Sequence, residues 1–384
     1  MLSSRRRILL VYAVPYSGHA QAACALRASF EAMGAEVQEY HFLQQFKYTG
    51  SAIVRFYKWL LTYLPSVWGH VHDNPEYEGM AKVVISAMQE WDIAGLLKRV
   101  NSWQPDAIVA IQAFPLRLLA EAKQQGKITS PLFVVTTDFW AHRYWAHPAV
   151  DHYFVSSEQA KRDLIKRKIK SKDIVWTGIP LRPEFMGMPH PLPSASSARE
   201  VLQWPAKTPT VLCLGGSYGF IPFKELIQII ELATGQLQKV RWVIVFGNNK
   251  IGLQEAHKRL KTSPARDRVQ VLGFRDDIEV LMRASDVCLT KAGGLSSSEA
   301  MVCRLPLVFY RPLPGQEQKN VSYLVKAGAA VSATTSKQAF KQIERLLTSS
   351  ELRARMKKAQ QRLARPHASN TITQTILQDL SSHL

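Results

Sequence analysis

The sequence is poor in cysteine and lacks two common cofactor signatures. Its 384 residues contain four cysteines, Cys24, Cys213, Cys288 and Cys303, and no Cys-x-x-Cys motif. Such wide spacing favours neither a disulfide framework nor a zinc site, and it fits a reducing cytoplasm. The first βαβ pattern also lacks G-x-G-x-x-G, which argues against NAD or FAD as cofactor.

Long apolar runs are absent as well. No stretch approaches the roughly 18–20 apolar residues that a membrane-spanning helix needs. Near the N-terminus a basic cluster, Arg5–Arg7, precedes an apolar run of only seven residues, Ile8–Val14. We interpret this run as a first β-strand that enters a glycine turn, and not as a secretion signal. Any membrane contact is therefore expected to be peripheral.

Acidic residues are scarce relative to basic ones. The chain has 49 Lys and Arg against 30 Asp and Glu, a formal net charge of +19. This imbalance predicts an anionic partner: nucleic acid, an anionic membrane or a phosphorylated substrate. Nucleic acid is the least favoured, because the basic residues are spread along the chain and no recognised binding module occurs.

One segment, 40–72, has no acidic residue at all. Within it, basic side chains alternate with aromatic ones, a composition typical of a helix that lies in a membrane interface. A helix packed in the protein core is the alternative, but a core helix has no reason to exclude Glu from its outer face. The predicted membrane and acceptor contacts are Lys47, Arg55, Phe56, Lys58, Trp59, Tyr63 and, further along the chain, Trp140.

Strand and helix patterns alternate along the chain and restart once. This alternation predicts an α/β protein with two parallel, doubly wound sheets. We expect an N-terminal domain at 1–185 and a linker at 186–205, where Pro and Ser are frequent. A C-terminal domain at 206–365 and a final helix at 366–384 should follow.

The stretch Lys291–Asn320 carries the clearest chemical signal. A short apolar strand is followed by Gly293-Gly294 and a Ser-rich helix start, which together predict an anion site, most simply for phosphate. Glu299, about one turn later, can accept two ribose hydroxyls. Gly-Gly-x-Ser-Ser also begins many helices that bind nothing, and Glu299 alone could be solvated. In this order, however, the two features favour a nucleotide site.

Two more segments extend this prediction. Another glycine turn, Gly215–Gly219, follows the strand Thr210–Leu214 and offers further backbone N–H groups. After the strand Pro306–Tyr310, the loop 312–318 places amides and a carboxylate at the end of a strand, where open α/β sheets hold ligands. The predicted donor-binding residues are Gly215, Gly216, Ser217, Phe274, Lys291, Gly293, Gly294, Leu295, Ser296, Glu299, Gln316, Glu317 and Asn320.

Several motifs resemble those of GT-B glycosyltransferases of the family 28 type. The resemblance is carried by K-A-G-G-L-S-S-S-E-A at 291–300 and P-G-Q-E-Q-K-N at 314–320, and it continues at 136–140, 177–183 and 272–277. Processive diacylglycerol glycosyltransferases and monogalactosyldiacylglycerol synthase are the most similar, and the lipid II N-acetylglucosaminyltransferase is more distant. The resemblance implies two Rossmann-like domains with a cleft between them and a last helix that crosses back to the N-terminal domain.

The resemblance also implies roles for single residues. The backbone of Phe274 would read uracil, and Gln316 and Glu317 would hold the hexose hydroxyls. No Asp-x-Asp triplet occurs, so no metal ion is expected to hold the diphosphate. Backbone N–H groups at the two glycine turns would offset its charge instead, with help from Lys291.

Two residues are candidates for the general base that deprotonates the acceptor. His19 follows the first strand, and its unperturbed pKa suits proton abstraction near neutral pH. Asp138 follows a later strand and could be the base, orient His19 or simply cap a helix. His142 and His147 are weaker candidates that would only shape the acceptor site.

The sequence therefore predicts an inverting hexosyltransferase that moves glucose or galactose from a UDP-sugar to diacylglycerol, without metal or other cofactor. It would act peripherally on an anionic membrane surface, at the cytoplasmic face. The alternatives are a UDP-N-acetylglucosamine transferase with a polyprenyl-linked or other lipid acceptor, and a non-catalytic sugar-nucleotide sensor.

Overall fold

The computed structural model describes residues 5–14, 17–42, 93–187, 193–216, 219, 222–233, 235–312 and 315–382. The predicted membrane contacts Lys47, Arg55, Phe56, Lys58, Trp59 and Tyr63 lie outside these residues, as does Ser217. The chain forms two compact units. The first comprises Met1–Pro183, Pro314–Gln316 and Arg365–Leu384, and the second Glu184–Leu313 and Glu317–Ala364.

The first unit is built on a six-stranded parallel sheet. Its strands are β1 (Arg7–Tyr12), β2 (Glu36–His41), β3 (Ala107–Ala110), β4 (Leu132–Val135), β5 (His152–Val155) and β6 (Ile174–Trp176). Its helices up to this point are α1 (Gly18–Ala32), α2 (93–103), α3 (Ala113–Gln124) and α4 (Glu158–Lys166). The strand order is β2-β1-β3-β4-β5-β6, and every neighbouring pair is parallel.

The second unit repeats this architecture. Its strands are β7 (Thr210–Leu214), β8 (Arg241–Val245), β9 (Val269–Leu272), β10 (Val287–Thr290), β11 (Leu307–Tyr310) and β12 (Ala330–Ala333), in the order β12-β11-β10-β7-β8-β9. Its helices are α5 (Ala195–Val201), α6 (Phe223–Glu231), α7 (Lys250–Leu260), α8 (Ile278–Ala284), α9 (Gly294–Val302), α10 (Gln316–Lys326), α11 (Ser336–Thr348) and α12 (Ser350–Leu363). The first residue of α10, Gln316, belongs to the first unit. Across both units, short 3-10 helices lie at Arg143–Trp145, Ser171–Asp173, Pro183–Met186, Gly235–Lys239 and Arg266–Arg268.

The central strands of each sheet are buried on both faces, which explains why strands such as β3 and β4 are continuously apolar, whereas the edge strand β2 is mostly polar. In β1, Ile8 and Leu10 pack into one core layer, whereas Leu9 and Val11 pack into the layer on the opposite face. This period of two is what a strand with helices on both faces requires. The prediction of an α/β protein with two parallel sheets is confirmed.

The last helix, α13 (Ala368–Ser382), belongs to the first unit. Its apolar side chains Ile372, Ile376 and Leu380 recur at helical spacing and join the core layer under α1. The buried Ser369 hydroxyl donates to the carbonyl of Leu181, 3.0 Å away. None of the helices in the described part of the chain is long and apolar enough to cross a membrane.

Three local expectations were incomplete or wrong. The stretch 186–205, expected to be a linker, contains α5, whose Arg199 is buried and donates to the Asp286 carboxylate at 2.7 Å. The expected loop 312–318 already contains the start of α10 at Gln316, just after Gly315 with a φ of 85°. The strand β12 was not predicted, because its sequence Ala-Val-Ser-Ala has little β-propensity.

Candidate active site

The predicted donor residues gather at one edge of the second sheet. The strands β7 and β11 flank β10, and both pairs are parallel. The carboxyl ends of all three strands therefore meet at the same edge, which is where open α/β sheets bind ligands. A buried hydrogen bond of 3.0 Å, from the Thr290 hydroxyl to the carbonyl of Leu214, ties the ends of β10 and β7 together.

The first glycine turn follows β7 and requires glycine. Gly219 has a φ of 60°, and a Cβ atom there would lie 1.9 Å from the carbonyl oxygen of Phe246. The side chain of Asn249 donates to the Gly219 carbonyl at 3.0 Å and accepts from the N–H of Gly252 at 2.9 Å. One asparagine thus fixes this turn and caps α7 at the same time.

The second glycine turn opens α9 without a capping side chain. Gly293 is the N-cap residue, with φ −70° and ψ 138°. No atom of the described residues lies within 4 Å of a Cβ built on Gly293. Elsewhere, the caps Ser157, Ser194, Thr335 and Ser349 each accept from a backbone N–H of their own helix. The N–H groups at the start of α9 can therefore meet an anion that comes from outside the chain.

Glu299 lies in the second turn of α9 and is buried, with 6% of its surface exposed. A carboxylate has about four acceptor positions, so it can hold two ribose hydroxyls besides other contacts. Glu299 lies about one turn after the N–H groups at the start of α9. The ribose role remains a prediction.

Glu299→Ala is expected to lower UDP affinity at least tenfold. The substitution removes two hydrogen bonds to a charged acceptor, each contributing up to about 1.5–3 kcal/mol. Isothermal titration calorimetry with UDP measures the loss. Glu299→Gln is the matched control, because it keeps one acceptor oxygen and should lose less. Unchanged UDP binding by Glu299→Ala would rule out the ribose role.

Two contacts that the sequence did not predict join α10 to the segment between β10 and α9. The ammonium of Lys291 lies 2.7 Å from the Glu317 carboxylate, and the buried Asn320 amide donates to the carbonyl of Ala292 at 2.9 Å. A Cβ built on Gly216 would lie 3.1 Å from Cε of Lys291. The structure therefore brings together Gly216, Lys291, Glu317 and Asn320.

Of the other predicted donor residues, Phe274 lies apart from this group and Gln316 is next to Glu317 in the chain. Phe274 follows β9, which is separated from β10 by β7 and β8 in the sheet, and its side chain is about half exposed, at 49%. Gln316 is the first residue of α10, directly before Glu317. Their roles toward uracil and hexose remain predictions.

In the first unit, His19 lies in the first turn of α1. Ser17 caps that helix by accepting the N–H of Ala20. Nδ1 of His19 lies 2.8 Å from the hydroxyl of Thr137, the residue before Asp138. A second bond joins the imidazole to the backbone of Ile111. The Ile111 N–H already donates to the carbonyl of Val11, so the imidazole donates to the Ile111 carbonyl.

These surroundings change the chemistry of His19. Burial lowers its pKa to about 4, and the bond to Ile111 opposes this shift only in part. The imidazole is therefore neutral at pH 7, the form that can accept a proton, but it is a weaker base than an unperturbed histidine. Before a ring nitrogen of His19 can accept a proton from the acceptor hydroxyl, it must give up its hydrogen bond to Thr137 or to Ile111.

The structure also describes the other predicted site residues of the first unit. Asp138 is buried, and its backbone carbonyl accepts a bond from the Ser156 hydroxyl. Trp140 is 9% exposed, which leaves little of its surface for membrane contact. Nδ1 of His142 and of His147 each accepts the backbone N–H two residues further on, so both histidines stabilise local turns. A shared role for His19 and Asp138 remains a prediction.

The described residues contain no group of three or more His, Cys, Asp or Glu side chains that could hold a metal ion. The four cysteines are free thiols.

Two known families match this chain, and the gap between the two matches contains a boundary between the two units. Residues 19–181 match the monogalactosyldiacylglycerol (MGDG) synthase family, and residues 196–363 match the glycosyl transferases group 1 family. A processive diacylglycerol beta-glucosyltransferase of Bacillus thuringiensis is 29% identical over 379 residues, which are 97% of this chain and 94% of the relative.

Solved structures show the same fold. Acinetobacter baumannii MurG aligns with a TM-score of 0.62 and 15% identity, over 97% of this chain and 99% of its own. Anabaena HepE, solved in complex with UDP-glucose, aligns with a TM-score of 0.59 and 17% identity, over 98% of this chain and 99% of its own. With the two family matches and the relative from Bacillus, these likenesses confirm the resemblance: this chain is a glycosyltransferase of the GT-B type, similar to the processive diacylglycerol glycosyltransferases.

Proposed function

We propose that the protein transfers glucose or galactose from a UDP-sugar to diacylglycerol, with inversion at the anomeric carbon, and so makes a glycolipid. The observation that carries the donor half is the turn after β10. There the uncapped start of α9 and the buried Glu299 offer, in order, groups for a diphosphate and a ribose. The acceptor half is supported by the MGDG synthase match over residues 19–181 and by the name of the Bacillus relative.

The reaction needs one bond to form and one to break. The free hydroxyl of diacylglycerol attacks C1 of the hexose from the face opposite the nucleotide. The C1–O bond to the β-phosphate breaks, and UDP leaves with the electron pair. His19 or Asp138 takes the hydroxyl proton, while the N–H groups at the start of α9 stabilise the charge that grows on the diphosphate.

The diphosphate is proposed to be held without a metal ion, so activity should survive chelation. Sugar transfer in excess EDTA is expected to equal that of the untreated enzyme, because backbone N–H groups supply the positive potential. Complete loss of transfer in EDTA, restored by Mn²⁺ or Mg²⁺, would show that a metal ion holds the diphosphate.

The acceptor is insoluble, so we propose that the protein binds the surface of an anionic membrane. The motivation is the net charge of +19 and the segment 46–68, where basic and aromatic residues alternate. Sedimentation with anionic liposomes should weaken as salt rises, since headgroup attraction is screened within about 10 Å at 0.1 M. Phe56→Ser/Trp59→Ser should release the protein from liposomes and spare UDP binding. Salt-independent sedimentation would contradict an electrostatic contact.

The function is tested by transfer of label. Purified protein is incubated with radiolabelled UDP-glucose or UDP-galactose and with anionic liposomes that contain diacylglycerol. Label is expected to move into the organic phase only when diacylglycerol is present. Transfer to a polyprenyl-linked acceptor but not to diacylglycerol would support the alternative acceptor. UDP binding without transfer to either acceptor would support a non-catalytic sensor.

A further inference from the structure

The ion pair between Lys291 and Glu317 joins two residues that were each expected to contact the donor independently. Lys291 follows β10, and Glu317 is the second residue of α10, after the neighbouring strand β11. The Lys291 ammonium lies 2.7 Å from Oε1 of Glu317, whose side chain is 9% exposed. Moving the ammonium away from this nearly buried carboxylate would cost free energy, because a buried charge needs compensation.

The course of the Lys291 side chain is set by the first glycine turn. A Cβ atom at position 216 would lie only 3.1 Å from Cε of Lys291. The absence of a side chain at Gly216 therefore makes room for the lysine stem. Gly216 also has a φ of 67°, which favours glycine for a second reason.

A second bond fixes α10 to the same segment. Asn320 lies three residues after Glu317, on the same face of the helix, and donates to the carbonyl of Ala292 at 2.9 Å. Both side chains thus reach the residues 291–292 that lead into the Gly293 turn. These two bonds therefore hold the first turn of α10 against the residues that lead into the Gly293 turn.

We infer that Lys291 is a positioning residue for hexose recognition, which acts through Glu317 and not by neutralising the diphosphate. This inference rests on the proposed function. Lys291 holds one oxygen of the Glu317 carboxylate and so fixes the orientation of that carboxylate toward hexose hydroxyls. A carboxylate has about four acceptor positions, which is enough to bind a hydroxyl and the ammonium together. Lys291 should therefore matter for a UDP-hexose and not for UDP, which has no hexose.

The test compares the affinities of UDP and of the UDP-hexose that the wild type binds. We expect Lys291→Met and Glu317→Gln each to weaken UDP-hexose binding about tenfold, the size of one lost hydrogen bond to a charged group. UDP affinity should stay within about threefold of wild type. In the double variant, UDP-hexose affinity should equal that of Glu317→Gln alone, because both changes remove the same interaction. Lys291→Arg, which keeps a donor to the carboxylate, should restore most of the affinity.

The opposite result is equally specific. If Lys291→Met weakens UDP and UDP-hexose alike, and if its effect adds to that of Glu317→Gln, then Lys291 contacts the diphosphate and the inference is overturned. Lys291→Met removes the ammonium beside the nearly buried Glu317 carboxylate and could unfold. In that case the comparison of the double variant with Glu317→Gln decides, since both of them lack the Glu317 carboxylate. A wild-type protein that binds neither UDP nor any UDP-hexose would overturn the proposed function itself.

Discussion

His19→Ala is expected to lower kcat by about 10²–10⁴-fold, the usual contribution of a general base. The affinity for UDP should not change, because His19 lies in the first unit and the predicted donor residues around β10 lie in the second. The two quantities are measured separately, kcat by label transfer and UDP affinity by calorimetry. A parallel fall in both would indicate a structural effect and not the loss of a base.

Two further variants separate the candidates for the base. Asp138→Asn removes the negative charge of the Asp138 side chain and keeps the shape of that side chain. Thr137→Val removes the hydroxyl that lies 2.8 Å from Nδ1 of His19. If His19 is the base, Thr137→Val should cost less than His19→Ala, because the imidazole remains. A kcat of His19→Ala within about threefold of wild type, together with a large loss in Asp138→Asn, would transfer the role to Asp138.

The pH profile adds an independent check. Burial lowers the pKa of His19 to about 4, from an ordinary value near 6.5. The neutral, proton-accepting form therefore persists as the pH falls through 6.5 and is lost only near pH 4. In the wild type, kcat/KM should stay level through pH 6.5. A half-maximal point near 6.5 that disappears in His19→Ala would show that the imidazole titrates as an exposed group.

Gly293→Asp is expected to weaken donor binding strongly while leaving the fold intact or slightly more stable. Gly293 has the extended backbone of an N-cap residue, which aspartate adopts readily. Its carboxylate would accept the N–H groups at the start of α9 and interact favourably with the helix dipole, by about 0.3–1 kcal/mol. Those N–H groups would no longer reach a diphosphate, so UDP affinity should fall about 100-fold, the loss of two charge-assisted hydrogen bonds.

Gly293→Ala is the matched control for the added charge. No atom of the described residues would lie within 4 Å of the new methyl group, so the melting temperature should stay near that of wild type. UDP affinity should fall less than in Gly293→Asp. By contrast, Gly219→Ala should destabilise the protein, because its Cβ would meet the Phe246 carbonyl at 1.9 Å. Normal UDP binding by a folded Gly293→Asp protein would mean that the start of α9 is not the phosphate site.

The sequence predicted those parts of the structure that depend on local pattern. The strand β7 begins and ends at the predicted residues, Thr210 and Leu214, because its apolar run is bounded by turn signals. The Gly293 turn and the helix that carries Glu299 were likewise predicted, since glycine and the Ser run act within a few residues.

The side-chain contacts that the sequence did not predict depend on the order of the strands in each sheet. Lys291 and Glu317 are 26 residues apart, and they meet because β10 and β11 are neighbours in the sheet. The bond of Asn320 to Ala292 has the same origin. His19 and Thr137 meet across β3, which lies between β1 and β4 in the first sheet. Residue types could indicate that these side chains serve a ligand, but not that several of them contact one another.

The most direct test is the identity of the lipid product. The wild-type protein is given an equimolar mixture of UDP-glucose, UDP-galactose and UDP-N-acetylglucosamine, with diacylglycerol in anionic liposomes. Mass spectrometry of the extracted lipid, with the proton coupling at its anomeric carbon, identifies both the sugar and its linkage. We expect a hexosyl diacylglycerol with the β configuration, since inversion of an α-linked UDP-sugar gives a β-glycoside. An N-acetylhexosaminyl lipid, an α-linked product or no glycosylated diacylglycerol would contradict the proposed reaction.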